Sequence, residues 1–213
     1  MKDSKTIGYR QIHLDFHTSE YLLDIGKSFS KLKFQEALQL AHVDSINLFA
    51  KCHHSWCYYP TKIGQMHPNL DFDLLGEQIN ACHEIGVLAH IYFTFGWSSN
   101  DAEQHPEWVV RDRNGLPVTS EPWPEDQLVT DSKPTFQWKF LDPNSTYHDH
   151  VLAQVKELCE RYSADGFWFD IYQAHRLSFS DSSLSKMSSL GVDINDDESV
   201  KAFTATSIKN HCE

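Results

Sequence analysis

Long apolar runs, dense clusters of basic residues and low-complexity tracts are all absent from this sequence of 213 residues. The first absence argues against a membrane span, which needs about 20 consecutive apolar residues. The second argues against nucleic acid, because the net charge is −12 and no group of Lys and Arg is dense enough to follow a phosphate backbone. We therefore expect neither a membrane nor a nucleic acid as a partner.

A secretory signal is also missing, because the N-terminal residues run into an apolar pattern without an h-region or a small-residue cleavage site. The five cysteines are scattered, odd in number and without paired metal-type spacing, which favours free thiols over a disulfide framework. These features predict a cytoplasmic protein. A chain of 213 residues is most simply read as one domain with a substantial core.

Strand-like and helix-like patterns alternate along the chain. Four segments have the period-2 alternation or the apolar run of a strand: 11–17, 45–51, 87–93 and 166–171. Four segments have helical spacing of their apolar residues: 33–41, 73–85, 146–162 and about 198–208. The alternation predicts an α/β fold with a parallel sheet, either as a barrel or as a doubly wound sheet.

The longest irregular region in this prediction, 94–143, separates the third strand from the third helix. It contains four of the six tryptophans: Trp97, Trp108, Trp123 and Trp138. Loops of this length inside compact domains are usually functional or disordered. So many aromatic side chains argue against disorder. We therefore predict that this loop is functional.

Candidate catalytic residues are sought at the carboxyl ends of the strands, where ligands bind in barrels and in open α/β sheets. Asp170 ends an apolar strand, where a carboxylate is costly to desolvate unless it faces a site or has a partner. Asp170 is therefore the candidate nucleophile of a retaining glycosidase, which also needs a second carboxyl group about 5 Å away. From position alone, a capping or structural role for Asp170 is equally compatible.

Lys51 ends the second predicted strand, and His53 and His54 follow it in a segment rich in hydrogen-bond donors and aromatic side chains. Donors for hydroxyl groups next to flat apolar faces suit a polyhydroxylated ligand. These three residues are therefore candidate substrate-binding residues. A surface loop with incidental histidines is the plainer alternative.

A divalent metal site is the main competing chemistry, since histidine, cysteine and carboxylate side chains are all metal ligands. Its candidate ligands are His13, Asp15, His17, Cys52, His53 and His54. No firm metal-binding spacing, such as HExxH or paired CxxC, is present. We therefore predict no metal and no cofactor.

Several motifs together resemble the catalytic domain of the α-L-fucosidases and, more closely, a related glycoside hydrolase family. Those shared with the fucosidases are AKCHHSWCYYPTKIG at the second strand, DLLGEQINACHEIGVLAHIYF up to the third strand, and DGFWFD at the fourth. The related family also shares HLDFHTSE and HPEW. The resemblance implies a TIM-type (β/α)8 barrel, of which this chain would hold about the first four βα units as a single partial domain, 1–213.

The same resemblance implies a fucosidase-like activity, retaining cleavage of a terminal sugar. Asp170 falls on the nucleophile of the fucosidases, and the pair His53 and His54 falls on histidines that contact the sugar. An inserted Cys52 separates this pair from Lys51. Further sugar-binding candidates are His17, which would orient hydroxyl groups, Trp97 and Trp168, which would form pocket walls, and Tyr92 at the end of the third strand.

Two departures from the family pattern keep other functions open. The resemblance to the related family implies a Cys-x-Cys-x-x-Cys motif at the positions where this chain has Ser178, Ser180 and Ser183. Serine does not replace a thiolate as a soft metal ligand. The acid/base carboxylate expected beyond the fourth strand is missing, and neither Glu198 nor Glu213 is a convincing substitute. A non-catalytic carbohydrate-binding remnant of a truncated hydrolase and a metal-dependent hydrolase are therefore the alternatives. Exposed edges of a half-barrel also predict a homo-oligomer.

Overall fold

The structure is a computed structural model that describes residues 8–120, 138–172 and 176–212. These residues form two compact units. The first unit contains residues 8–52, 56–93 and 154–169. The second unit contains residues 53–55, 94–120, 138–153, 170–172 and 176–212. The single partial barrel domain expected from the sequence stays a prediction.

Short strands and helices alternate over the described ranges. The strands are β1 (Gln11–His13), β2 (Ser45–Lys51), β3 (Trp56–Cys57), β4 (Gln65–Met66), β5 (Leu88–Thr94), β6 (Trp97–Ser98), β7 (Lys139–Phe140) and β8 (Gly166–Asp170). The helices are α1 (Lys31–Leu40), α2 (Leu74–Glu84), α3 (Asn100–Gln104), α4 (Tyr147–Arg161), α5 (Asp181–Ser189) and α6 (Asp197–Cys212). A 3-10 turn covers Pro106–Trp108.

The first unit is built on a mixed sheet with the strand order β4-β3-β2-β5-β8, in which β1 also pairs with β2. The pairs β1/β2 and β2/β5 are parallel, with Ser45 opposite both Gln11 and Leu88, whereas β2/β3 is antiparallel. The α/β class predicted from the sequence is confirmed, but the sheet is mixed rather than purely parallel. Over the described residues it is open, with β4 and β8 at the two ends of the order.

The sequence explains why the central strands and their helices form. β2 and β5 bury most of their residues, which is typical of strands covered on both faces. Ser30 and Asp73 are the N-caps of α1 and α2, because their side chains accept hydrogen bonds from the backbone N–H groups of Lys33 and Gly76. Gly86, with φ of +78°, follows the end of α2, as its position in the sequence predicts.

β1 is shorter than predicted, ending at His13 instead of His17. Beyond His13, the Tyr58 hydroxyl donates to the Phe16 carbonyl (3.0 Å) and accepts from the Thr18 N–H (3.2 Å). A side chain therefore binds the Phe16 carbonyl and the Thr18 N–H in the segment after β1. Period-2 alternation does not reveal such a partner 40 positions away in sequence.

The second unit contains the antiparallel pair β6/β7 and a helical cluster. Met187 from α5 packs with Val200 and Phe203 from α6 in this cluster. None of the four helical segments predicted from the sequence covers α5. The helix forms because Ser180 caps its N-terminus and the side chain of Met187 is fully buried.

Three serines converge on one carboxylate in the second unit. The hydroxyl groups of Ser178, Ser180 and Ser183 donate to Oδ2 of Asp142 over 2.6, 2.5 and 2.6 Å. All four residues are buried. These are the serines at which the family resemblance implies cysteines, and here they serve as hydrogen-bond donors to a buried carboxyl group.

His211 gives the second unit a predictable pH dependence. Burial, and secondarily the adjacent His148, lower the pKa of His211 to about 4, while Asp142 acts in the opposite direction. A histidine in the unfolded chain has a pKa of about 6.5. Between these values the unfolded chain takes up a proton that the folded chain does not bind, so stability falls as the pH drops from about 6.5 to 4. Above this window His211 contributes no pH dependence.

The expected loss across the window is up to about 3 kcal/mol. Chemical denaturation at pH 7 and pH 5 measures it, with His211→Gln as the variant that cannot titrate. We expect the wild type to lose more stability than the variant over this interval, by about 2 kcal/mol. Identical losses in both proteins would contradict the assignment to His211.

No helix within the described ranges combines the length and the apolar character that a membrane crossing requires.

Candidate functional site

The side chains of His53, Thr94 and Asp170 lie together in the second unit. His53 and Asp170 are site residues predicted from the sequence, and Thr94 is their neighbour. Nδ1 of His53 lies 2.6 Å from the Thr94 hydroxyl, and Nε2 lies 3.7 Å from Oδ2 of Asp170. The backbone N–H of Phe95 donates to the Asp170 carbonyl over 3.0 Å. The last residues of β5 and β8 are thereby fixed next to each other, with the imidazole ring between two side chains.

The backbone beside Asp170 is strained. Ile171 has φ of +63°, which costs a residue with a Cβ roughly 1–2 kcal/mol and is rarer still for a β-branched one. Gly96 permits this turn, because a Cβ on Gly96 would lie 2.5 Å from the Ile171 carbonyl oxygen. Ser55, directly after His54, has φ of +69°. Strained residues cluster at functional sites, so their position next to His54 and Asp170 favours a function there.

Two tryptophans lie beside the histidines. The rings of Trp97 and Trp138 are nearly parallel, at 3°, with their centroids 6.3 Å apart. Trp138 also receives His53 and His54 edge-on, with centroid distances of 5.1 and 4.7 Å. Antiparallel pairing of Trp97 with Phe140 holds the first tryptophan on β6. Indole faces next to imidazole groups are a suitable environment for a sugar ring and its hydroxyl groups.

Burial separates the roles of these side chains. His53 and His54 are 6% and 8% exposed, whereas the side chain of Asp170 is 34% exposed. A buried imidazole is held in one orientation by its neighbours, while a partly exposed carboxylate is accessible to a ligand. Together these side chains form one cluster that combines an accessible carboxyl oxygen with rigid neighbours: His53, His54, Thr94, Trp97, Trp138 and Asp170.

Other predicted site residues lie in the first unit. The Nε2 atom of His17 lies 3.1 Å from Oδ1 of Asp15, and the His17 ring is edge-on to Phe49 and Tyr92. Tyr92 is fully buried and stacks on Phe49 at 3.9 Å, with an angle of 14° between the rings. Tyr92 therefore packs in the interior of its unit, whereas the side chain of His17 is partly exposed.

Lys51 and Trp168, also in the first unit, differ in exposure. Lys51 is fully buried, its ammonium donating to the side-chain oxygen of Gln154 at 3.3 Å and lying 5.3 Å from the Phe93 ring centre. Trp168 is 51% exposed, with His13 edge-on to its ring at 6.0 Å. Trp168 can therefore offer an aromatic face to a ligand, whereas Lys51 supports the interior of its unit.

Sequence reasoning missed two members of the cluster in the second unit. Thr94 directly follows the predicted apolar strand, so its place at a strand end was a usable signal. Trp138 was recognised only as part of the aromatic loop, because its partners come from distant segments. Trp123, in the same predicted loop, lies outside the described residues.

Within the described part of the chain, no group of three or more His, Cys, Asp or Glu side chains is arranged to hold a metal ion. Asp15 lies near both His13 and His17, at 3.7 and 3.1 Å, and its side chain is 74% exposed. Polar contacts between this exposed carboxyl group and the two imidazole rings account for the arrangement.

The sequence model of a family described as hypothetical glycosyl hydrolase 6 matches residues 30–171. Among solved structures, an alpha-L-fucosidase isoenzyme 2 from Paenibacillus thiaminolyticus is 41% identical, with a TM-score of 0.84 over 95% of this chain. The chain spans 29% of the length of that protein.

A hypothetical protein from Ruminiclostridium thermocellum is 15% identical and has a TM-score of 0.52, with 85% of this chain and 87% of that chain covered. At this identity the likeness shows a shared fold alone. A comparison with curated proteins found no match.

Proposed function

Because the chain belongs to the hypothetical glycosyl hydrolase 6 family, we propose that it is a fucosidase-like glycoside hydrolase that cleaves a terminal sugar with retention of configuration. The observation that carries this proposal is the cluster of His53, His54, Thr94, Trp97, Trp138 and Asp170 in the second unit. Support also comes from the likeness to the Paenibacillus thiaminolyticus enzyme over 95% of this chain.

The fold proposed for this function is the first part of a (β/α)8 barrel, holding about four βα units. The parallel pairs β1/β2 and β2/β5, with helices α1 and α2 between successive strands, support this proposal. So does the open sheet, since β8 ends the strand order. Chemistry at the carboxyl ends of strands is the rule for such barrels, and Asp170 ends β8.

Asp170 is proposed as the nucleophile that attacks the anomeric carbon. A carboxylate in this role forms a glycosyl ester as the bond to the leaving group breaks, and water then hydrolyses the ester. His53 and His54 would hold sugar hydroxyl groups, and Trp97 and Trp138 would pack against apolar C–H groups of the ring. The acid/base residue is not assigned, so we expect the highest activity on aryl glycosides, whose leaving groups need little protonation.

Ligand binding and turnover test this proposal separately. The purified chain is melted with L-fucose, with D-fucose as the stereochemical control and with galactose, and is assayed on an aryl α-L-fucoside. We expect L-fucose at about 100 times its Kd to raise the Tm by several degrees. His54→Ala should lose this shift, whereas His105→Ala, a histidine with a 42% exposed side chain, should keep it.

The outcomes distinguish the functions under consideration. Stabilisation by L-fucose together with aryl fucoside hydrolysis supports the proposal. Stabilisation without turnover supports the carbohydrate-binding remnant instead. If L-fucose does not stabilise the chain and the aryl fucoside is not hydrolysed, a fucose-specific site in this chain is contradicted.

Self-association is a further expectation. Trp168 and Phe169 are 51% and 37% exposed on β8, the strand at one end of the sheet order. Exposed apolar residues on such a strand favour pairing with another chain. We therefore expect a sedimentation coefficient that rises with concentration and rises less for Phe169→Lys. A monomer at every concentration would contradict this expectation.

A further inference from the structure

The Thr94 hydroxyl and the His53 ring are in direct contact. Thr94 is the last residue of β5 and is fully buried, and His53 is 6% exposed. Their Oγ1 and Nδ1 atoms lie 2.6 Å apart, while the other ring nitrogen, Nε2, lies 3.7 Å from Oδ2 of Asp170. The imidazole ring therefore has a neutral hydroxyl on one side and a carboxylate on the other.

This geometry favours one tautomer of His53. If Nδ1 carried the proton, the lone pair of Nε2 would face a carboxylate oxygen, and two electron-rich atoms would oppose each other. If Thr94 donates to Nδ1, the Nε2–H group faces the carboxylate and the interaction is attractive. The hydrogen bond made by Nδ1 thus determines whether Nε2 carries a proton or a lone pair.

The hydroxyl also suits the protonated ring. A threonine hydroxyl is both a donor and an acceptor, so it can rotate and accept a hydrogen bond from Nδ1–H when His53 gains a proton. In both states Nε2–H points toward Asp170. A valine at this position would have the same shape but could satisfy Nδ1 in neither state.

We propose that Thr94 is a positioning residue, which holds His53 with its Nε2–H directed at Asp170 and at a ligand hydroxyl bound beside that carboxylate. The inference rests on the proposed glycosidase function for its catalytic consequence. The separation of 3.7 Å is longer than a hydrogen bond. A sugar hydroxyl that approaches Asp170 would lie within reach of the Nε2–H group and could accept from it.

Nitrogen chemical shifts of histidine report the tautomer directly and require no turnover. We expect ¹⁵N-histidine spectra of the wild type to show His53 as the Nε2–H tautomer, and Thr94→Ser to preserve it. Thr94→Val should lose this preference. A wild-type His53 with its proton on Nδ1, or an unchanged tautomer in Thr94→Val, would overturn the proposal.

Kinetics on an aryl α-L-fucoside test the consequence for catalysis. Thr94→Val should lower kcat at least about tenfold, change KM by less than about threefold, and be rescued to near wild-type kcat by serine. The matched control is Thr204→Val, since Thr204 is a buried threonine whose hydroxyl donates to the Val200 carbonyl within α6. A loss of kcat in both valine variants, or no rescue by serine, would reduce Thr94 to a structural role.

Failure of the proposed function has a different signature. A wild type without turnover but with the Nε2–H tautomer dependent on Thr94 would contradict the glycosidase assignment and leave the positioning of His53 intact. Thermal melts of each variant verify that the chain is folded when it is measured.

Discussion

Asp170→Asn is expected to lower kcat/KM for an aryl α-L-fucoside by at least about 10³-fold, because an amide is a far weaker nucleophile than a carboxylate. The side chain of Asp170 is 34% exposed at the end of β8, and the His53 ring lies 3.7 Å away. Asparagine has nearly the same shape, so the variant should fold and melt as the wild type does. Initial rates of aryl alcohol release at low substrate concentration measure the effect.

A rescue experiment tells a nucleophile from a carboxylate that only stabilises charge. In Asp170→Gly, added azide can attack the anomeric carbon from the vacated side, forming a C–N bond as the C–O bond breaks and aryloxide leaves. We expect azide to restore release of the aryl alcohol and to yield the glycosyl azide of inverted configuration. Asp181→Asn, which removes an exposed carboxylate from the first turn of α5, is the matched control and should keep wild-type activity. Full activity in Asp170→Asn would refute the assignment.

Asp142→Ala is expected to have the largest effect on stability. The variant removes the acceptor of three buried serine hydroxyls, from Ser178, Ser180 and Ser183, and the acceptor of the Asn144 backbone N–H at 2.8 Å. Each buried polar group left without a partner costs about 1–3 kcal/mol, so a total loss of more than about 3 kcal/mol is expected. For a chain of this length, that corresponds to a fall in Tm of roughly 10 °C.

Two further variants calibrate this loss in urea denaturation. Asp142→Asn keeps an oxygen acceptor but removes the charge, so it should cost less than alanine. Ser178→Ala removes one donor and leaves the carboxylate with two others, at an expected cost of about 1–2 kcal/mol. The interpretation would be wrong if Asp142→Ala were no less stable than Ser178→Ala.

Much of the fold could be predicted because period and composition report burial along one segment. The runs at 45–51 and 87–93 became β2 and β5, which bury most of their residues, and Gly86 has the positive φ expected after a helix. Errors arose where a distant partner decided the outcome. The Tyr58 hydroxyl binds backbone groups of the segment after β1, and burial of Met187 stabilises a helix in a serine-rich segment.

Some features of the candidate site could likewise be predicted from the sequence, and others could not. Strand ends and the family resemblance were sufficient to nominate His53, His54, Trp97 and Asp170, which the second unit brings together. Exposure could not be read from the sequence, so Lys51 and Tyr92 were predicted as ligand contacts although both are fully buried. Those two assignments stay predictions that any ligand-bound structure would test.

By itself, the sequence determined the α/β class, the family and the position of Asp170 at a strand end, because each depends on residue types and spacings within short segments. Only the tertiary structure decided that Thr94 lies against His53, that Trp138 lies beside Trp97, and that three serines share Asp142. These contacts join residues 36–41 positions apart in sequence. Contacts of this kind arise from how strands and loops are packed, which local patterns do not encode.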